Sequence, residues 1–123
     1  MVTTTKKTCL FDIHKKLNGK MVPFAGYELP IWYSSIQSEH EAVRDNVGVF
    51  DISHMGLFEI QGSNATTFLQ QLTCNDIKKS LHEKLIYSMF LNNAGMILDD
   101  VMHGFYKDRF FLITNGANQT KVH

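Results

Sequence analysis

Three apolar segments separated by short turn sequences constrain the fold of this chain more than any other feature. Residues 85–91, 96–103 and 110–114 have the length of strands and contain β-branched and aromatic side chains. The intervening residues 92–95 and 107–109 are short and mostly polar. Strands joined in this way pair in order, so the sequence predicts two successive hairpins that form an antiparallel meander sheet. Helical patterns earlier in the chain predict an α+β class rather than a parallel α/β fold.

Three helices are predicted before the meander from apolar residues at helical spacing. The first ends at Asn18 and Gly19, which supply the left-handed stop that many helices use. Ser35 or Ser38 can cap the second, and Ser63 caps the third. The residues that form the apolar side of each helix are, helix by helix, Leu10, Phe11, Ile13, His14 and Leu17; Ala42, Val43 and Val47; and Ala65, Phe68, Leu69 and Leu72.

The remaining segments are predicted from turn formers and strand formers. Residues 22–33 hold both prolines and four aromatic side chains, which block a helix and predict an extended, tightly packed arm. Residues 49–52 and 57–61 are predicted strands, and Gly56 between them permits a turn or a close backbone approach. Residues 75–83 are predicted to form a polar loop, and residues 115–123 to open a further helix.

Composition excludes several classes of function. The 123 residues include 12 Lys or Arg and 12 Asp or Glu, so the formal net charge is zero. This balance argues against nucleic acid as a partner, and no apolar run approaches the roughly 20 residues of a membrane helix. The first residues carry no secretory or import signal, which predicts a bacterial cytoplasmic protein. Cys9 and Cys74 lack metal-ligand spacing and are predicted to be reduced, packed thiols.

Asp99 and Asp100 are the most notable candidates for chemistry. Both lie inside an apolar strand, and adjacent strand residues point to opposite faces, so at most one can face a shared pocket. A carboxylate in an apolar wall costs several kcal/mol of desolvation unless it is partnered, which marks ligand-binding or acid–base sites. The alternative is an exposed aspartate near a hairpin turn.

Other polar residues have ordinary structural interpretations. His54 is predicted to be a hydrogen-bonded turn residue rather than a catalytic base, because no carboxylate stands at a spacing that would orient it. Tyr87 fits either a pocket phenol or a core ring, and base rates favour the core. Asn115 and Asn118 fit helix caps. The sequence contains neither a nucleophile elbow nor a phosphate-binding glycine loop.

Several ordered motifs resemble the aminomethyltransferase, or T protein, of the glycine cleavage system. The most specific are residues 19–30 (GKMVPFAGYELP) and 48–56 (GVFDISHMG). Residues 35–40, 42–44, 87–89 (YSM), 95–100 (GMILDD) and 115–118 (NGAN) follow in the family's order. The resemblance therefore covers almost the whole chain.

The resemblance implies a function and a set of site residues. Enzymes of this family transfer a one-carbon unit from the aminomethyl-lipoyl arm of H protein to tetrahydrofolate and release ammonia. The family's essential aspartate matches Asp100, whose implied role is to hold the reacting amine of tetrahydrofolate rather than to act as a nucleophile. Positions that line or hydrogen-bond folate match Met55, Tyr87, Met102, Ile113 and Asn115. No metal is implied.

Departures from the family pattern are few but informative. Gly104 stands where the family has Tyr, Glu83 and Leu85 replace a Gly and a small residue, and Cys9 replaces Pro. Family members are much longer and build the folate site from three domains. We therefore expect residues 1–123 to be the N-terminal part of the folate-binding domain, inactive without the missing C-terminal portion.

Two alternatives to the transferase remain open from the sequence. One is a folate-binding relative without transferase activity, of the iron–sulfur-cluster assembly type. Those proteins carry a cysteine motif in their later part, so the sequence that follows His123 would discriminate between them. The other alternative is a nonfunctional fragment.

Overall fold

Helices and antiparallel strands are mixed along the chain in the computed structural model, which describes residues 5–82 and 84–123. This mixture confirms the predicted α+β class. Glu83, one of the departures, and residues 1–4, whose lack of a targeting signal favoured the cytoplasm, lie outside the described residues. The chain forms two units, the first ending at His54 and the second beginning at Met55.

A small sheet organises the first unit. Strand β1 (Lys6–Lys7) runs parallel to β3 (Tyr27–Pro30), and β2 (Met21–Phe24) pairs with β3 in the antiparallel sense. Ala25 and Gly26 form the two-residue turn between β2 and β3, with φ of 48° and 81°. Two left-handed residues fit the turn that matches strand twist. The predicted arm is therefore extended, but it is a regular hairpin rather than an unpaired segment.

The helices of the first unit bury few of their residues. Helix α1 (Phe11–Lys16) buries only Phe11 and His14 of its predicted stripe, and Asn18 provides the left-handed stop at φ 59°. Helix α2 (Ile36–Asp45) begins at Ser35, whose hydroxyl accepts the Ser38 N–H at 3.1 Å. None of the α2 residues is buried, and Val47 lies beyond the end of this helix.

The predicted strand at residues 49–52 was also wrong. These residues are irregular, because neither β1, β2 nor β3 pairs with them. Val49 and Phe50 are 97% and 70% exposed, whereas the Asp51 side chain turns inward. The β-branched and aromatic residues here flank one buried carboxylate and do not form a strand.

A four-stranded antiparallel sheet forms the second unit, and its last three strands are the predicted meander. The strands are β4 (Gly56–Ile60), β5 (Ile86–Leu91), β6 (Ile97–Tyr106) and β7 (Arg109–Thr114). Their order across the sheet is β4-β7-β6-β5. Helix α3 (Ala65–Leu72) begins after Asn64 and not, as predicted, at a Ser63 cap.

One face of this sheet carries the core of the second unit. Leu69 of α3 packs with Ile77 and Phe110, and a second cluster joins Phe90, Val101 and Leu112. Ile77 begins a 3-10 helix (Ile77–His82) within the predicted polar loop, so that prediction missed a buried element. The predicted final helix is confirmed as a 3-10 turn (Gly116–Asn118) followed by α4 (Gln119–Val122).

The two cysteines differ from their prediction in exposure. Cys9 and Cys74 are both free thiols on the surface of their units, not packed side chains. Cys74 lies 3.6 Å from the Ser88 hydroxyl, and Cys9 lies 3.9 Å from that of Ser53. Their thiols are therefore accessible to solvent.

Candidate functional site

Asp99 and Asp100 point to opposite faces of the meander, as strand alternation predicts. Asp99 is 3% exposed on the face that carries the core. Asp100 is exposed on the other side, which we call the open face and which includes Tyr87, Asp100, Met102 and Ile113. The pair thus provides one buried and one accessible carboxylate.

Strand register brings three of the other predicted residues into one row on the open face. Tyr87 of β5 pairs with Met102 of β6, and Met102 pairs with Ile113 of β7. Met102 and Ile113 are half-buried, and Tyr87 is 54% exposed. The core interpretation of Tyr87 was therefore wrong, because its ring lies on the accessible side of an edge strand.

Two neutral donors hold the Asp100 carboxylate. The Tyr87 hydroxyl donates to Oδ2 at 3.3 Å, and the Asn115 amide donates to Oδ1 at 2.6 Å. Partial desolvation, and next the negative charge of Asp100, raise the pKa of Tyr87 above its ordinary value. The phenol therefore stays protonated and acts as a donor.

The buried Asp99 carboxylate is bound entirely by amide groups. Its Oδ2 accepts the Asn115 backbone N–H at 3.1 Å. Its Oδ1 accepts the side-chain amides of Asn115 at 2.9 Å and Asn118 at 2.6 Å. Asn115 and Asn118 stand at the N-cap positions of the 3-10 turn and of α4, as predicted, but neither side chain makes a capping hydrogen bond.

Met55, the remaining predicted site residue, is placed near Asn115 by the pairing of β4 with β7. It immediately precedes Gly56, the first residue of β4, which pairs with Thr114, the residue before Asn115. A Cβ at Gly56 would overlap the Thr114 hydroxyl oxygen and lie 2.8 Å from Cγ of Gln119. The predicted close backbone approach at Gly56 is confirmed, and it lets β4 lie against the end of β7 beside Asn115.

Two of the departures from the family pattern lie side by side in the second unit. A Cβ at Gly104 would come within 2.9 Å of a Leu85 methyl carbon, so Leu85 covers the space that a larger residue 104 would need. Both line a groove of about 400 Å³ that continues to Ile113. The two changes are therefore sterically complementary.

Sequence reasoning missed a buried polar cluster in the first unit. Nε2 of His14 donates to Asp51 at 2.8 Å, since a carboxylate can only accept, and the Tyr33 hydroxyl donates to Nδ1 of His14 at 2.6 Å. Thr8 donates to the same carboxylate at 2.7 Å. Burial alone would raise the pKa of Asp51, but hydrogen bonds from His14, Ser53 and Thr8 outweigh it and hold the pKa well below its usual range.

The position of this cluster favours a structural role. Its hydrogen bonds connect Thr8, helix α1 and the segment that precedes β4. Side chains, not strand pairing, make these connections. The signal in the sequence was His14 within an apolar stripe, where a buried histidine needs a partner. His54 lies in a turn, as predicted, with its ring edge-on to Phe24 at 5.5 Å.

The described residues hold neither a candidate metal site nor a membrane-spanning helix. Within residues 5–82 and 84–123, no three His, Cys, Asp or Glu side chains converge to form a candidate metal site. In that part of the chain, no helix has both the length and the apolar character needed to cross a membrane.

Comparisons with known proteins connect the chain to one family. The family described as "GCVT N-terminal domain" matches residues 10–123. An aminomethyltransferase from Thermoanaerobacter sp. (strain X514) is 45% identical over 117 residues, which are 94% of this chain and 32% of that protein. One from Flavobacterium psychrophilum is 44% identical over the same shares of the two chains.

A solved structure gives the same picture at the level of the fold. The crystal structure of the glycine cleavage system aminomethyltransferase T from Bartonella henselae matches with a TM-score of 0.82 and 30% identity. The match covers 95% of this chain and 33% of that one. The chain therefore spans about a third of the length of the relatives it matches.

Proposed function

Because the chain belongs to the family of GCVT N-terminal domains, we propose that it is the N-terminal part of the folate-binding domain of a glycine cleavage aminomethyltransferase. The reaction assigned to the complete enzyme transfers a one-carbon unit from the aminomethyl-lipoyl arm of H protein to tetrahydrofolate, with release of ammonia. The same proposal places the protein in the bacterial cytoplasm, where this catabolism of glycine takes place.

The setting of Asp100 is the observation that carries the proposal. This carboxylate is accessible on the open face and is fixed from two sides by Tyr87 and Asn115. The half-buried side chains of Met102 and Ile113 lie together in the adjacent row of the same face. An apolar surface with a few fixed polar groups is the usual composition of a site for a flat, partly polar ligand.

The chemistry proposed for Asp100 follows from its ionised form. A carboxylate accepts an N–H from the reacting amine of tetrahydrofolate and stabilises the positive charge that develops on this nitrogen during attack on the one-carbon unit. Tyr87 and Asn115 can donate only one hydrogen each to the carboxylate in this arrangement, which leaves further lone pairs of Asp100 for the substrate. Asp100 thus binds and stabilises, and it forms no covalent bond.

The remaining portion of the enzyme is part of the proposal. A ligand pocket covers most of the surface of its ligand, whereas the open face provides only one wall. We therefore assign two partners to this chain, the lipoyl-carrying H protein and the C-terminal portion of the same enzyme. On this account the 123-residue chain alone binds tetrahydrofolate weakly and does not turn over.

The test compares the isolated chain with a completed enzyme. The chain is fused to the part of the Thermoanaerobacter aminomethyltransferase that follows the matched region, and both proteins are assayed with aminomethyl-lipoyl H protein and tetrahydrofolate. Turnover by the fusion and none by the isolated chain is expected. A folded fusion without methylene-tetrahydrofolate production would contradict the function, and turnover by the isolated chain would contradict the need for a second portion.

A further inference from the structure

The Asp99 carboxylate is buried and takes no part in the proposed reaction. It is 3% exposed, and each of the three groups that donate to it is a neutral amide. Burying a carboxylate costs several kcal/mol unless it is well hydrogen-bonded. A buried carboxylate of this kind therefore points to a role in orienting the groups that donate to it. All three donors belong to Asn115 and Asn118.

Asp99 accepts two hydrogen bonds from Asn115. It accepts the backbone N–H on one oxygen and the side-chain amide on the other, at 3.1 and 2.9 Å. Two bonds to one rigid group fix both the backbone and the side-chain torsion of Asn115. The same amide nitrogen lies 2.6 Å from Oδ1 of Asp100 and 3.1 Å from the Asp100 carbonyl oxygen. The orientation that Asp99 imposes is therefore the one in which Asn115 meets Asp100.

Only a carboxylate can occupy position 99 in this arrangement. Both of its oxygens accept hydrogen bonds, one from the Asn115 backbone and the other from two side-chain amides. An asparagine at this position would turn an NH₂ group toward one of these donors, whichever way its amide is rotated. Asn118 supplies the shortest of the three contacts and binds the carboxylate oxygen that the Asn115 backbone does not.

We propose that Asp99 and Asn118 are positioning residues that fix the Asn115 amide in the orientation in which it holds Asp100. The inference rests on the proposed function, because only then does the placement of Asp100 matter for catalysis. Asp99 and Asn118 act through Asn115 and do not touch the substrate. Their loss leaves the Asp100 carboxylate in place but free to rotate away from Asn115.

The test observes the Asn115 side-chain amide directly in the 123-residue chain. Its two NH₂ protons are followed by ¹⁵N-resolved NMR, through their chemical shifts and their exchange with solvent. We expect Asp99→Asn and Asn118→Ala each to speed this exchange about tenfold or more, the scale of one lost hydrogen bond, and to shift the signals. Asn118→Ala removes only one donor in a short surface turn, so it keeps the test available if Asp99→Asn does not fold.

Asn92→Ala is the matched control. The Asn92 side chain accepts the N–H groups of Ala94 and Met96 in the β5–β6 turn, so this change also removes hydrogen bonds from an asparagine. It should leave the Asn115 signals unchanged. Unaltered Asn115 signals in a folded Asn118→Ala protein would overturn the proposal, as would an equal shift in the Asn92→Ala control.

The NMR experiment tests the positioning of Asn115 independently of the proposed enzymatic function. The Asn115 signals are read without substrate, so they report positioning even if the fusion enzyme proves inactive with tetrahydrofolate. In an active fusion, Asn118→Ala should lower kcat more than it changes KM, since it disorders Asp100 without removing binding surface. An active fusion with an unchanged Asn115 amide would overturn positioning alone.

Discussion

At the scale of single residues, the Tyr87 hydroxyl can be removed to test its hydrogen bond to Asp100 without changing the stability of the fold. Tyr87→Phe keeps the ring on the open face and removes only the donor to Oδ2. We expect turnover of the fusion enzyme to fall by up to about tenfold. Because the ring is 54% exposed, unfolding free energy should change by less than about 0.5 kcal/mol. Steady-state kinetics and urea unfolding of the same preparation test both parts, and a large loss of stability would contradict them.

The cluster around Asp51 gives a second prediction at this scale. Asp51→Ala leaves the buried donors of His14 and Thr8 without their acceptor, and should lower the unfolding free energy of the first unit by about 3 kcal/mol. Fluorescence of Trp32, the single tryptophan, reports this unit during urea unfolding. Gln37→Ala, which removes an exposed side-chain hydrogen bond to Glu41 in the same unit, is the control and should cost less than about 0.5 kcal/mol.

The same carboxylate makes stability depend on acid. The pKa of Asp51 is lower in the folded chain than its ordinary 3.8, so its stabilising contribution is complete above this value and is lost as pH falls below it. Asp51→Ala should therefore flatten the acid limb of the Trp32 unfolding curve. An unchanged acid limb would show that other carboxylates control it.

The Asp99 and Asp100 pair shows how much of the site a sequence can predict. Alternation along a strand assigns the two residues to opposite faces without further knowledge. Which of them is buried depends on where the helices pack, and the donors to Asp99 come from residues 16 and 19 positions later. Such contacts between distant polar side chains carry no periodic signal in the sequence.

At the scale of elements, His103 is a buried base in strand β6. Its side chain is fully buried, and neither ring nitrogen has a hydrogen-bond partner among the residues described. Burial lowers the pKa of His103 below its ordinary value. In the unfolded chain His103 binds a proton near pH 6.5, whereas burial in the folded chain disfavours its protonated form. The free energy of unfolding is therefore highest above this pH and falls as the pH drops below it.

His103→Val should remove this pH dependence. Between about pH 7.5 and pH 5.5, the wild-type second unit should lose up to about 1.4 kcal/mol per pH unit more than the variant. Hydrogen exchange of the β6 and β7 amides measures this difference within the second unit. Equal pH slopes in the two proteins would contradict the prediction.

Elements with a clear period were predicted well, and elements defined by packing were not. The meander follows from alternating strands and short turns, and its three strands lie within about three residues of their predicted bounds. The β2–β3 hairpin was missed because its two prolines favour irregular chain, yet Pro23 lies on the edge strand and Pro30 is the last residue of β3. The buried 3-10 helix was missed because its neighbours are polar.

At the scale of the whole molecule, much apolar surface remains open to solvent. In the second unit Leu57, Leu85 and Tyr106 are each more than half exposed. In the first unit Val47 and Phe50 are 79% and 70% exposed. Patches of this kind mark surfaces that pack against something else. This agrees with a chain that spans about a third of its relatives.

The free chain should therefore bind a hydrophobic dye while folded. We expect strong fluorescence of an anilinonaphthalene dye with the isolated chain and a clear decrease, per mole of protein, in the fusion enzyme. Lysozyme or another compact protein of similar size provides the baseline. A folded chain with no more dye fluorescence than this baseline would contradict the proposal that a second portion covers these surfaces.

The most direct test of the account compares the two aspartates in the fusion enzyme. Asp100→Asn removes the accessible negative charge and should lower kcat by about a hundredfold or more, the scale of a lost electrostatic contact in a transition state. Asp99→Asn leaves that charge in place and should lower kcat by only about tenfold, through the Asn115 amide. Equal losses from the two substitutions, or a larger loss from Asp99→Asn in a folded protein, would contradict the assignment of Asp100 as the residue that meets tetrahydrofolate.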